Sequence, residues 1–182
     1  MAERLGAVRR RLLAALAAVA VLAAGYWLLL RGETVEPRLL PVQPTSVIGA
    51  GSDSIGVSPD GLILTWLPAP EEGTLPGLPL AEPPANGKLS GPMLQQARVL
   101  GAAPPELRPY IESSFYGDSG VDVVLEAGVE LRFGDASQAA AKWRAAAAVL
   151  ADPSVNTLDY IDLRVPSRPA VGGSGHTLPP AP

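Results

Sequence analysis

The residue types able to do chemistry are few in this 182-residue chain, and each stands in a setting that argues against it. His176, the one histidine, sits in "GGSGHTLPP". An imidazole that binds metal or moves protons needs a partner to fix it, and a glycine- and proline-rich tail supplies none, so a solvated side chain is expected. The run "GAGSDSIG", residues 49–56, has the glycines of a phosphate loop, but such loops hand over to a helix N-terminus, and here a turn and a strand follow in "VSPDGLI". Asp118 and Asp122 in "YGDSGVDV" offer two acids where calcium wants six or more oxygens, and Asp118 and Gly120 are what a hairpin turn asks for. Glu112, Asp122, Glu130 and Asp162 are the carboxylates available for acid/base hydrolysis, yet strand alternation places all four on an outer face, as solvated charges. With no cysteine, thiol chemistry and cysteine-ligated metals are excluded. The expectation is no catalytic residue, no metal, no cofactor and no small-molecule substrate.

The elements around these residues follow from periodicity. "SIGV", the turn "SPDG" and "LILTW" predict a hairpin in which Pro59 sets the turn and Gly61 closes it. In "LSGPMLQQARVLGAAP" the period becomes helical: Pro92 falls near the start, Ser90 or Gly91 caps it, Met93, Leu94, Ala97 and Leu100 share a side, and Gly101 ends it. Three strands with tight turns at "GDSG" and "EAG" span "YIESSFYGDSGVDVVLEAGVELRFGD", with Val121, Val123 and Leu125 on one face and Val129, Leu131 and Phe133 likewise. A capping box, Asp135 with Gln138, predicts the start of a second helix running to Pro153, with Trp143, Ala146, Ala147 and Leu150 as its buried stripe. A last strand puts Ile161, Leu163 and Val165 inside and Tyr160, Asp162 and Arg164 outside. The order β-β-α-β-β-β-α-β predicts an α+β domain: a mainly antiparallel sheet with two helices on one face.

Ahead of this domain, residues 12–30 form 19 positions without a charge; as a helix they span about 28 Å, the thickness of a bilayer's hydrocarbon core. Arg4, Arg9, Arg10 and Arg11 precede the run against Glu3 alone, which predicts a single transmembrane helix with residues 1–11 cytoplasmic. A cleaved signal peptide is the competing reading, disfavoured by the length of the run and by "YWLLL" continuing past the small residues. Residues 31–53 read as a linker, 54–171 as the folded domain and 172–182 as a disordered tail. Beyond Arg31 the chain holds nine Lys or Arg against 17 Asp or Glu, a net charge of −8, which gives no electrostatic reason to bind nucleic acid or an anionic membrane face. An acidic, membrane-tethered domain without catalytic equipment reads as a docking surface. Its terminal strand, so near the chain end, is expected at an open sheet edge.

The pieces "LILTWLP…LPGLPL", "ARVLGAAPPEL", "VDVVLEAGVELRFGD", Lys142 on its helix and "YIDLRVPSRPAV" together resemble the extracytoplasmic β domain of the FtsQ/DivIB family of bacterial cell-division proteins. The sharpest of them are G-x-x-L-R-F-G-D, Gly128 to Asp135, and Y-I-D-L-R, Tyr160 to Arg164. The resemblance implies a non-enzymatic scaffold of the divisome, crossing the inner membrane once and binding partners of the FtsB/DivIC and FtsL types. In the family the final strands of the β domain accept a strand from the FtsB-type partner. Carried over on "YIDLR", that contact falls on Arg164, Val165, Pro166, Ser167, Pro169, Ala170, Val171 and Gly172. Pro166 and Pro169 each remove a backbone donor from such an edge, so pairing there would be short or bulged. The family normally carries a POTRA module between membrane and β domain, and Gly32 to Asp53 has no pattern that fits one. The other readings are an exported or anchored ligand-binding domain that has lost the division role and, third, an extracytoplasmic hydrolase.

Overall fold

A computed structural model of the chain describes residues 42–177. The apolar run 12–30 and its flanking arginines, where the anchor is expected, lie outside the described residues, as do residues 178–182. Among the described residues no helix is long and apolar enough to cross a membrane.

The main sheet has five strands in sequence order: β3 (Ile111–Gly117), β4 (Gly120–Leu125), β5 (Glu130–Gly134), β6 (Tyr160–Asp162) and β7 (Ala170–Gly172). Its hairpins form where turn residues demand them. β3 and β4 are joined by Asp118 and Ser119 alone. Gly120, at φ +110, can only be glycine, because a Cβ there would stand 2.2 Å from the Gly134 carbonyl oxygen. Antiparallel pairing runs through β3, β4 and β5, and again between β6 and β7. β5 and β6 are instead parallel, which requires a crossover, and helix α2 (Ala139–Leu150) provides it.

Helix α1 (Gly91–Gly101) packs on β3 and β4, and α2 packs on β5. The core between helices and sheet joins Ala97, Val99 and Leu100 of α1, Trp143 and Ala146 of α2, and Val123, Leu131, Phe133, Ile161 and Leu163 of the sheet side. Trp143 is fully buried, donates Nε1–H to the Val99 carbonyl at 2.8 Å and meets Phe133 with ring centroids 5.0 Å apart. A tilted aromatic pair of this kind contributes about 1 kcal/mol beyond its burial. Lys142 is also buried, at 2% exposed, because the end of β5 offers it three acceptors: the carbonyls of Phe133 and Asp135 and the Asp135 carboxylate, each at 2.9 Å.

Four sequence expectations change. Helix α2 begins after Gln138, which sits in the left-handed region at φ 53, and no side chain caps it. Asp135 accepts from Ser137 and Lys142 instead, so the expected capping box does not form. Ser46–Ile48, in the stretch read as linker, is strand β1, paired with β2 (Ile55–Val57) in a two-stranded sheet. The expected hairpin at "SPDG" keeps its turn, with Gly61 N–H donating to the Ser58 carbonyl, but its second arm is reduced to the bridge between Val57 and Ile63. Part of the stretch read as tail is placed too: the His176 carbonyl accepts from Leu158 N–H, and Thr177 bridges Thr157.

Candidate functional site

The last strand of the "YIDLR" motif is not the sheet edge. β6 lies between β5 and β7, and the edge is β7, whose far side has no strand neighbour among the described residues. Asp162 pairs with Ala170, Ile161 with Val171 and Tyr160 with Gly172. The open ribbon expected at β6 is thus closed by the chain itself and reappears one strand further on.

Between the two strands the chain reverses because its residues require it. Pro166 fixes φ at the second position of a turn that closes with Arg168 N–H on the Val165 carbonyl at 2.9 Å. Pro166 and Pro169 both precede β7, so neither removes a donor from it. Val165, expected inside with Ile161 and Leu163, is 56% exposed, since β6 ends at Asp162 and the turn carries Val165 off the core. Arg164 folds back on Asp162: its Nε lies 3.0 Å from both carboxylate oxygens, and its backbone N–H donates to Oδ1. These hydrogen bonds hold the Asp162 carboxyl below its ordinary range and raise the Arg164 guanidinium. The aliphatic stem of Arg164 crosses Gly134, where a Cβ would stand 3.0 Å from Cγ.

On the outer face, register lines up Phe115, Asp122, Arg132, Asp162 and Ala170 across all five strands. Arg132 pairs with Glu130 at 2.8 Å and stacks on the Tyr160 ring at 4.0 Å. Of the four carboxylates expected to be solvated, Glu112 is exposed and Glu130 and Asp162 are half-buried in ion pairs. Asp122 is only 7% exposed, with Oδ1 sealed off and unpartnered. Burial first, then the nearby Glu130 charge, pushes its carboxyl up from the ordinary 3.8. Asp122 does lie on the outer face, but strand alternation carries no information about how much of that face neighbouring side chains cover.

Beside the edge, Pro166 and Ser167 face Gln138, Ala141, Arg144 and Ala145 of α2 across a shallow groove of about 410 Å³. Ala141 and Ala145 are small and stand four apart on the side of α2 away from Trp143; that pattern is the sequence signal for this groove. Val171 shares the face of Ile161 yet is 49% exposed, because among the described residues no strand extends the sheet beyond it. The site thus combines a free strand edge, an apolar side chain standing on it and a groove alongside, the arrangement used to bind an extended polypeptide. Among the described residues no cluster of three or more His, Cys, Asp or Glu could hold a metal ion.

Residues 50–164, well over half of the chain, match the family described as Cell division protein FtsQ/DivIB, C-terminal. The match takes in β2 to β6 and ends at Arg164, just before the turn into β7. No curated protein matches the chain.

Proposed function

The chain belongs to the FtsQ/DivIB family of cell-division proteins, and on that premise we propose that it is a single-pass divisome scaffold whose β7 edge accepts a strand from an FtsB/DivIC-type partner. The family is non-enzymatic and works through division-protein partners. The observation that carries the proposal is the side of β7, Ala170–Gly172, that no strand among the described residues occupies, with exposed Val171 upon it. A partner strand laid there adds main-chain hydrogen bonds, and its flanking residues reach the groove of Pro166, Ser167, Ala141 and Ala145. Of the residues carried over by resemblance, Ala170, Val171 and Gly172 form the edge, Val165, Pro166, Ser167 and Pro169 shape the turn beside it, and Arg164 braces the turn through Asp162. An FtsL-type protein is the second partner that the family resemblance implies. Residues 12–30 are the membrane anchor, with the N-terminus cytoplasmic and residues beyond Arg31 outside.

The test is capture of the FtsB-like protein by the full chain and by a Val171→Lys variant. A charge on an edge strand opposes strand addition while leaving the fold soluble. A buried anchor is worth about 2 kcal/mol, so capture is expected to weaken roughly thirtyfold. Capture unchanged by the lysine would sink the edge assignment, and a fluorescent fusion spread evenly round the envelope of dividing cells would favour the reading in which the division role is lost.

A further inference from the structure

The most exposed large apolar side chain among the described residues is Trp66, at 63%, with Leu62 at 38% and Leu67 at 36% beside it in sequence. They do not hang from a slack loop. Leu64, two residues before Trp66, is 1% exposed and donates its N–H to the Gly56 carbonyl at 2.9 Å, and Leu67 N–H closes a turn on the Leu64 carbonyl at 3.1 Å. The turn is held by buried Ile63 and Leu64 and leaves the indole exposed. No partner in the core or the β7 edge accounts for it.

The chain enters the domain beside this turn. The described residues begin at Val42, itself 50% exposed. Thr45 N–H donates to the Val57 carbonyl, and Pro44 packs on Gly56, where a Cβ would stand 2.7 Å from Pro44 and 3.7 Å from Pro70. Gly56 is therefore flanked by the incoming chain and also holds the Trp66 turn through its carbonyl. Because the chain first packs on the domain at Pro44, only residues 31–43 separate that contact from the apolar run ending at Leu30. Thirteen residues span at most about 47 Å even when fully extended, little more than the diameter of a domain this size.

We propose that the Leu62–Leu67 turn docks on the extracytoplasmic surface of the bilayer, with Trp66 at the lipid–water boundary. This rests on the reading of residues 12–30 as a membrane anchor. An indole has an apolar body and one N–H donor, which suits the boundary better than either bulk phase. The tether makes the contact intramolecular, so a few apolar side chains suffice where a free domain would not stay bound. Nearby charges are mixed, Lys88 bridged to Leu62 against Asp60, Glu71 and Glu72, so the contact depends on apolar insertion and not on anionic lipid.

The three tryptophans, Trp27, Trp66 and Trp143, make the test direct. The full chain is reconstituted into vesicles of zwitterionic phosphatidylcholine brominated on its acyl chains, which quench indole on contact. Trp143 is fully buried and bonded to Val99, so it stays silent. In a Trp27→Phe variant the Trp66 emission should shift to the blue and fall by at least about half, and adding Trp66→Ala should remove the quenchable fraction. In a Trp66→Phe variant, quenching of Trp27 reports the anchor separately. Trp27 quenched with Trp66 untouched overturns the docking and leaves the anchor standing. Trp27 untouched overturns the anchor, and the docking with it.

Discussion

Gly172 lies against the Tyr160 ring so closely that a Cβ on it would stand 2.6 Å from Cζ and Oη. The two are register partners across β6 and β7, and the ring is already occupied on its face by the Arg132 guanidinium, 4.0 Å from its centroid. A side chain at 172 must displace either the ring from Arg132 or β7 from β6. Gly172→Ala is therefore expected to loosen the edge while leaving the core intact, with a stability loss within about 1 kcal/mol. Hydrogen exchange reads it locally, since Asp159 N–H donates to the Gly172 carbonyl at 2.8 Å. That amide should exchange at least about tenfold faster. Unchanged exchange together with unchanged partner capture would mean that the close approach does not position the edge.

Lys142 is the opposite case, a charge the core itself depends on. Its ammonium satisfies the Phe133 and Asp135 carbonyls where β5 hands over to α2. Lys142→Met keeps the stem's packing but strands both acceptors, so urea unfolding should show a loss of about 2–4 kcal/mol. A loss below about 0.5 kcal/mol would show that water replaces the ammonium without cost.

Asp122 and Asp135 act in separate pH windows with opposite signs. The Asp122 carboxyl sits above its ordinary 3.8, so the folded chain holds that proton more readily than the unfolded one. Ionised Asp122 thus lowers stability at neutral pH, and the cost is relieved as the pH falls through its folded value towards 3.8. Hydrogen bonds from Ser137 first, and from Lys142 next, bring Asp135 down to about 2, so its contribution is present above 3.8 and lost as the pH falls from there to about 2. Asp122→Asn should gain on the natural chain at pH 7 and lose that gain below 3.8. Asp135→Asn should do the reverse, weaker at pH 7 and converging near pH 2. Urea titrations across this range separate the two, and a difference for Asp122→Asn that is flat with pH would show that its charge is not what burial penalises.

The parts of the fold legible in the sequence are those whose pattern is one-sided and longer than a turn. Val121, Val123, Leu131 and Phe133 alternate against solvent, and all four are fully buried where alternation put them. Trp143 marked the buried side of α2 correctly. Two short strands escaped: β1 stands among prolines and glycines that read as linker, and β7 follows Pro166 and Pro169 too closely for a period to register. Lys142 escaped because composition treats a lysine as surface, whereas its acceptors come from the end of another element. The site suffered most. The "YIDLR" strand was recognised, but which side of it remained open depended on Gly172 returning to Tyr160, a contact between residues that no local pattern links.

β1 gives the sharpest way to tell these readings apart by stability alone. Ile48 is 1% exposed and belongs to the core formed by Val57, Ile63, Leu78 and Leu89, although it lies five residues before the end of the stretch read as linker. Its strand is held on both sides, by β2 through Ser46–Val57, Val47–Gly56 and Ile48–Ile55, and by Pro76–Leu78 through Val47. Ile48→Ala removes a buried branched side chain from a site that two flanking segments keep from collapsing, so a loss of about 2–4 kcal/mol is expected in urea unfolding. Val42→Ala, at a half-exposed position six residues earlier, should stay within about 0.5 kcal/mol of the natural chain and serves as the comparison. If both substitutions are equally mild, β1 is a loosely attached linker after all, the tether lengthens beyond Gln43, and the bound on the distance between domain and bilayer relaxes with it.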